Sequence, residues 1–355
     1  MNVGNSVTDV GGNFDVTGTA SFFGSYVRVQ DECGKAELSS NNVGINWGTS
    51  RGTDCEFNVP FHQLYSIPFV ILLTSMFHSH FSLCTCLTAL SIGFTPGFGG
   101  PGNTHATRST YYHTTHINEI ARSYLSGNSW LKDILTAVVN INDNCNAFWN
   151  GKVISFYNSG GGCANLAEIA GVIVHEWGHG MDANDVAAGI SKPSGEGYAD
   201  IYAALYDGSS CIGRGGFGNR VCNLEGDGCI GCTGVRDIDY MQHNSGLPHT
   251  ASWANANCGS SVHCKGHVYS EAVWSLYKRK LQEEPYFYDD LTAHTLTTSL
   301  FVKASGNVGT WYNEKAAPFA GCFGLSGYFA FLAADDDDGN LTNGTPRKYY
   351  VMNHF

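Results

Sequence analysis

The sequence predicts an α+β fold with a mixed strand and helix lobe ahead of a mostly helical one. The chain has 355 residues, 43% of them hydrophobic, which is enough for one large core or for two lobes around a cleft. Alternating runs such as SYVRVQ predict short strands near the start, and LTAVVNIN and KVISFY predict a later strand pair. The segment LAEIAGVIVHEWGHGMD then has helical periodicity.

Four segments follow one another along the chain. Residues 1–56 are rich in Gly, Asn, Ser and Thr, which predicts a β-rich ancillary or propeptide segment. Residues 57–105 form a charge-free insert of doubtful status, residues 106–334 the main domain, and residues 335–355 an acidic loop and C-terminal tail. The main domain should begin with a helix, because six residues recur there at helical spacing: Tyr112, Thr115, His116, Ile120, Tyr124 and Leu125.

The insert contains the run IPFVILLTSMFHSHFSLCTCLTALSIGF. A membrane helix requires about 20 predominantly apolar residues. The purest apolar run here is shorter, and His78 and His80 interrupt it. We therefore expect no stable membrane insertion. A buried insert and a misassembled stretch of sequence remain the two interpretations.

Charge and cysteine content restrict the partners and the compartment. The formal net charge is −12 and no Lys/Arg cluster occurs, which argues against a nucleic-acid partner. Thirteen cysteines between Cys33 and Cys322 favour an oxidising, extracellular compartment. Residues 1–10 have neither a basic start nor an apolar stretch, so we expect a secreted protein whose signal peptide is not present in this chain. The oligomeric state is left open.

The helix around HEWGH carries the chemistry that the sequence predicts. Asn165, with Glu168 three residues later, predicts a helix start at about Leu166. His175 and His179 are four residues apart, so their imidazoles project from one helix face and can both bind zinc. Glu176 then lies beside the metal, where it can take a proton from water.

A catalytic zinc requires a third protein ligand, and two candidates follow the histidines. Glu196, in SGEGYADIYAAL, shares a helix face with Asp200, which would fix the tautomer of a ligand histidine. Asp185 is the alternative, because it stands where an extended His-Glu-x-x-His-x-x-Gly-x-x-His pattern places its last ligand. That pattern requires a glycine at position 182, where this chain has Asp182. We therefore favour Glu196.

HEWGH together with GEGYAD resembles the paired motifs of gluzincin metallopeptidases of the thermolysin and fungalysin type. The resemblance covers about residues 106–280 and implies a two-lobed zincin fold, a zinc cofactor and a peptide or protein substrate. NAFWNG resembles the family's edge strand, which implies that Asn146 and Ala147 bind the substrate backbone. NSGLPHTA resembles a stretch near the family's catalytic histidine.

The chain also departs from this family. No tyrosine occurs between His179 and Glu196, where thermolysin-like enzymes have one. The family's second helper, a histidine that stabilises the tetrahedral intermediate, is assigned to His263, with His267 and His243 as alternatives. An ordinary surface histidine is the competing interpretation of each.

Two further groups of residues are candidate metal sites. Cys229 and Cys232 have the C-x2-C spacing of a structural zinc site, but disulfides are favoured in an exported chain, and Cys145 with Cys163 is one expected pair. The run DDDDGNLTNGTP, from Asp335 onward, offers hard oxygen ligands for calcium. A solvated acidic loop is the alternative interpretation of that run.

These observations predict a secreted zinc-dependent metalloendopeptidase. Zinc on His175, His179 and Glu196 would activate water, Glu176 would act as general base, and His263 would stabilise the oxyanion. Two alternatives remain: a catalytically inactive zincin-fold binding module, and an incomplete or mispredicted peptidase.

Overall fold

A computed structural model describes residues 2–3, 6–7, 26–32, 36–39, 104–185, 192–218, 222, 227–283, 285–307 and 326–348. These residues form mixed helix and sheet, so the α+β prediction is confirmed. The strands are β1 (Asn2–Val3), β2 (Ser6–Val7), β3 (Val27–Asp31), β4 (Ala36–Ser39), β5 (Leu135–Asn144), β6 (Ala147–Trp149), β7 (Val153–Asn158), β8 (Cys211–Ile212) and β9 (Arg236–Asp237). The helices are α1 (His105–Tyr124), α2 (Ala170–Asn184), α3 (Lys192–Asp207), α4 (Ala251–Asn257), α5 (Val262–Lys278), α6 (Asp290–Asn307) and α7 (Ser326–Asp335).

A five-stranded sheet has the order β4-β3-β5-β7-β6. Strands β3, β5 and β7 are parallel, and β4 and β6 add antiparallel strands at the two edges. Strands β3 and β4 of the predicted N-terminal segment thus belong to the same sheet as the strands of the predicted main domain. Between the two predicted strands, residues 147–149 form a further strand that pairs with β7.

Helix α1 occurs where it was expected, but its buried face differs from the predicted one. The Thr104 hydroxyl caps the helix by accepting a hydrogen bond from the Thr107 amide at 3.2 Å. Tyr112 and His116 are only half-buried, whereas Thr110 and Tyr111 are buried. Small hydroxyl and alanine side chains line most of the buried face, so hydrophobic periodicity alone did not identify it.

The predicted start of the metal-binding helix was wrong by about one turn. The Asn165 side chain caps a separate 3-10 turn, Leu166–Glu168, and α2 begins at Ala170. The Glu168 carboxylate contacts His105 Nδ1 at 3.0 Å instead of completing a capping box. An asparagine cap fits either kind of turn, so the sequence pattern could not distinguish them.

The main core joins the sheet to the helices. Val139 and Ile154 of the sheet and Trp177, Tyr198 and Phe301 of the helices are completely or almost completely buried in it. Trp177 also donates a hydrogen bond from its indole nitrogen to Asn118 Oδ1 at 3.0 Å, which satisfies its polar atom inside the core. The predicted division into two lobes stays a prediction.

Four disulfides occur within the described residues: Cys145–Cys163, Cys211–Cys232, Cys222–Cys229 and Cys258–Cys264. The expected bridge between Cys145 and Cys163 is therefore present. Cys229 and Cys232 bind different partners, so the alternative of a zinc site on the C-x2-C pair is wrong. The remaining five cysteines lie outside the described residues.

The predicted insert, residues 57–105, lies outside the described residues except for its last two positions. Among the helices that the structure does describe, none has both the length and the apolar character required to cross a membrane.

Candidate metal centre

Helix α2 presents two histidines to the candidate site. His175 and His179 lie one turn apart, and their Nε2 atoms are 3.1 Å from each other. The opposite side of α2 enters the core through Ile173, Val174 and Trp177, which fixes the direction in which the histidines point.

Helix α3 supplies a carboxylate to the same point. Glu196 Oε2 lies 3.4 Å from His175 Nε2 and 3.6 Å from His179 Nε2. Among the described residues, these three side chains form a group that can hold a metal ion. Asp185, the alternative third ligand, is not in this group. Its carboxylate instead accepts a hydrogen bond from Tyr198 Oη at 3.1 Å.

The glycines of the two motifs allow the helices to approach closely. A Cβ atom on Gly178 would lie 2.8 Å from Ala199 Cα, so α2 and α3 contact each other at the backbone. A Cβ atom on Gly197 would lie 2.5 Å from the Gly266 carbonyl oxygen, so α3 also lies directly against α5. Close approach therefore explains glycines that helix propensity alone would disfavour.

The group has the donors and spacing that zinc requires. Tetrahedral zinc with bonds of about 2.0–2.1 Å separates its ligand atoms by about 3.3 Å, and the observed separations of 3.1, 3.4 and 3.6 Å agree with that geometry. Glu196 Oε2 is buried and makes no hydrogen bond with any described residue. Buried carboxylate oxygens rarely lack such a partner, so an ion at this point would satisfy it.

Asp200 contacts the Nδ1 side of His175, and Arg236 in turn binds Asp200. His175 Nδ1 lies 2.9 Å from Asp200 Oδ1, and Arg236 donates to both oxygens of the same carboxylate at 2.6 and 2.8 Å. Arg236 Nη2 is also 3.6 Å from Glu196 Oε2. The sequence indicated Asp200 but not Arg236, because Arg236 comes from strand β9, 36 residues further along the chain.

The surrounding charges distinguish the two histidines. Burial lowers the pKa of His175, but the contacts with Asp200 and Glu196 outweigh it and raise that pKa to about 10. Burial and the neighbouring His175 lower the pKa of His179 to about 4. Burial raises the pKa of Glu196, yet the nearby His175 brings it down to about 2.

Glu176 lies buried next to the first histidine. Burial raises the pKa of its carboxyl to about 7, although the charge of His175 and a backbone hydrogen bond from Trp149 oppose this. Its Oε2 atom makes no hydrogen bond within the described part of the chain. Trp149 ends strand β6, so this edge strand lies beside Glu176.

The three candidate helper histidines separate into two places. His263, near the start of α5, has its Nε2 3.3 Å from Glu196 Oε2, and its side chain is 46% exposed. Burial, and then the charge of Arg236, lower its pKa. His267 and His243 instead belong to a different, buried group around Glu271.

The residues predicted to bind substrate lie at the edge of the sheet. Ala147 begins β6, which pairs only with β7 among the described strands, and the Asn146 carbonyl accepts a hydrogen bond from the Tyr157 amide at 3.1 Å. The other side of β6 carries no strand in the part of the chain that the structure describes.

The four aspartates of the acidic loop do not form one cluster. Asp335 is buried and accepts hydrogen bonds from the Arg347 amide and guanidinium at 2.6 and 2.5 Å. Asp336, Asp337 and Asp338 lie close together and at least partly exposed. The expected calcium therefore stays a prediction for these three residues only.

Comparisons with known proteins identify no family for this chain. No protein-family model matches it, and no curated protein matches it. Among 23 matching chains of solved structures is the precursor of protealysin, a metalloproteinase from Serratia proteamaculans. That match has a TM-score of 0.36 and 14% identity, and covers 59% of this chain and 78% of that chain. The likeness is too distant to support a functional conclusion.

Proposed function

We propose that this protein is a zinc-dependent endopeptidase of the gluzincin type. The observation that carries the proposal is the convergence of His175, His179 and Glu196 at the spacing of a tetrahedral zinc site. Three protein ligands leave a fourth position for water or substrate, which distinguishes catalytic from structural zinc sites. When bound, zinc lowers the pKa of water to about 7 and polarises a carbonyl group.

Glu176 is the proposed general base. Its carboxylate takes the proton of the attacking water and transfers it to the nitrogen of the leaving amine. A buried carboxyl whose pKa is raised to about 7 suits both transfers, because it accepts and releases a proton near neutral pH.

The neighbouring residues position these groups. Asp200 holds the ring of His175 through Nδ1, so that Nε2 faces the metal. His263 lies on the Glu196 side of the site, where its Nε2 can donate a hydrogen bond to the oxyanion that forms from the scissile carbonyl.

The substrate would bind as an additional strand on β6. Its backbone groups would pair with the free side of that strand near Asn146 and Ala147, as peptides do at exposed sheet edges. The hydrogen bond from Trp149 to Glu176 joins β6 to the proposed base, so a peptide on this edge would pass beside it. Four disulfides fit a secreted enzyme that acts on extracellular proteins.

The proposal is tested by assaying the full chain, produced under oxidising conditions, on an intrinsically disordered protein substrate. We expect cleavage that stops when a chelator removes zinc and returns when zinc, but not magnesium, is added back. A folded protein that binds zinc at His175, His179 and Glu196 but cleaves nothing would instead support the inactive binding module.

A further inference from the structure

A second cluster of metal-binding side chains lies outside the candidate metal centre. It consists of His243, His249, His267 and Glu271, which we call the buried histidine cluster. His267 and Glu271 lie one turn apart on α5, His249 precedes the cap of α4, and His243 belongs to the loop before it. One potential ligand atom from each residue lies within 4.8 Å of the other three.

The cluster is organised around one carboxylate oxygen. Glu271 Oε1 lies 2.7 Å from His249 Nδ1, 3.7 Å from His243 Nδ1 and 3.9 Å from His267 Nδ1. Ligand atoms of a tetrahedral zinc are separated by about 3.3 Å, so these distances lie on both sides of that value. Three imidazoles and one carboxylate are therefore close to the arrangement of a four-coordinate site.

The atoms that face one another make no hydrogen bonds. Among the described residues, no hydrogen bond is found for His243 Nδ1, His249 Nδ1, either ring nitrogen of His267, or Glu271 Oε1, although His249 Nδ1 and Glu271 Oε1 are close enough for an ion pair. All four residues are at most 5% exposed, so bulk solvent does not reach these atoms. Buried polar atoms almost always make a hydrogen bond, and five atoms without one at the same point require an explanation.

A salt bridge between His249 and Glu271 would explain only one of these contacts. It would leave His243 Nδ1 and both ring nitrogens of His267 without a hydrogen bond among the described residues. A cation shared by all four residues would bind one ligand atom of each and leave only the second ring nitrogen of His267 without a partner among the described residues.

The outer atoms of two histidines are already held in the orientation that metal ligands require. His243 Nε2 lies 2.5 Å from the Asp237 carbonyl oxygen, and His249 Nε2 lies 3.4 Å from Asp227 Oδ2. Both contacts place the ring proton on Nε2 and leave Nδ1 as the lone-pair atom. The second oxygen of Glu271 accepts a hydrogen bond from the His249 amide at 2.8 Å. Metal-binding histidines usually have such outer partners.

We propose that the buried histidine cluster binds a second zinc ion with a structural role. Four protein ligands in a closed pocket leave no position for a substrate, which is typical of structural zinc. Imidazole and carboxylate donors in a tetrahedral arrangement suit zinc among the divalent metals. This proposal does not depend on the peptidase activity.

The second zinc would join three segments that disulfides also restrain. Cys222–Cys229 closes the loop before His243, and Cys258–Cys264 links the end of α4 to the start of α5. Helix α5 carries His263 one turn before His267, so zinc in the cluster would also fix the helix that presents His263 to the first site.

The test is zinc content per folded chain, measured by mass spectrometry after native gel filtration. We expect two zinc ions in the unaltered protein, one in the His175→Ala/His179→Ala variant and one in Glu271→Gln. Glu271→Gln keeps the side-chain shape but exchanges a carboxylate ligand for an amide. His294→Ala is the matched control: it removes a partly buried histidine outside both sites, whose Nε2 contacts the Leu205 carbonyl, and should retain two zinc ions.

Brief treatment of the unaltered protein with a chelator gives the same information without any substitution. The first site, whose His179 and Glu196 are partly exposed, should lose its zinc first and leave one ion, which is released only on unfolding. One zinc in the unaltered protein, and none in folded His175→Ala/His179→Ala, would overturn the second site while leaving the proposed peptidase intact. Zinc retained in folded His175→Ala/His179→Ala, together with no cleavage by the unaltered protein, would support the second site and contradict the proposed peptidase.

Discussion

His175 Nδ1 lies 2.9 Å from Asp200 Oδ1, on the side of the ring opposite the proposed metal. Arg236 donates two hydrogen bonds to the same carboxylate, so the ring of His175 has a rigid support. The charge of Asp200 also makes the imidazole a better zinc ligand.

We predict that Asp200→Asn weakens zinc binding at the first site by about 10- to 100-fold, because the amide cannot support the ring in the same way. Zinc affinity is measured by competition with a chromogenic chelator. Asp207→Asn, a substitution at another carboxylate on the same helix, is the control and should leave the affinity unchanged. Equal affinities for both variants would show that Asp200 does not position the ligand.

Glu176→Gln should keep zinc and lose hydrolysis. The amide cannot accept the proton of the attacking water, so we expect kcat to fall by about 10²- to 10⁴-fold. Zinc content and kcat are measured on the same preparation, with Glu119→Gln on α1 as control. Retained activity in zinc-loaded Glu176→Gln would rule out this residue as the base.

His263→Ala should lower kcat without changing the zinc content. Loss of one donor to an oxyanion costs about 2.7–4 kcal/mol, which corresponds to about 10²- to 10³-fold in kcat. The substitution removes a half-exposed side chain, so little loss of stability is expected. If kcat is unchanged, the oxyanion donor is a different residue.

Gly178→Ala should separate α2 from α3. The added methyl group would lie 2.8 Å from Ala199 Cα, and overpacking of this kind costs about 1–3 kcal/mol in the free energy of unfolding. Gly127→Ala is a suitable control, because no atom lies within 4 Å of its added Cβ. Urea unfolding at saturating zinc compares the two variants, and equal midpoints would contradict the close contact of the helices.

The disulfide between Cys145 and Cys163 joins the start of the proposed substrate edge to the loop after β7. Its loop of about 18 residues predicts a loss of about 3 kcal/mol in the free energy of unfolding when both cysteines are replaced by serine. Urea unfolding with and without reductant measures this loss. If reductant lowers the free energy of unfolding of the double variant as much as that of the unaltered protein, the Cys145–Cys163 bridge does not contribute to stability.

Local spacing was sufficient to predict that His175, His179 and Glu196 come together, but not what surrounds them. His175 and His179 are neighbours on any helix, and Glu196 follows at a spacing that a second helix can bring back. The support from Arg236 depends on a distant strand, which no pattern near Asp200 indicates. The same limit applies to α1, where tertiary packing selected a face that hydrophobic periodicity did not favour.

The buried histidine cluster shows what a reading of single motifs misses. His267 and Glu271 are four residues apart on α5, a spacing that was visible in the sequence. The sequence pattern offers His267 and His243 only as alternatives to His263 at the first metal site. Only the fold brings His243 and His249 to the same carboxylate.

The most direct measurement is an anomalous difference map, recorded from crystals of the unaltered protein on both sides of the zinc absorption edge. We predict a zinc peak about 2.0–2.2 Å from the ligand atoms of His175, His179 and Glu196. A zinc-supplemented, folded protein with no peak between these three residues would contradict the metal site, and with it the proposed peptidase.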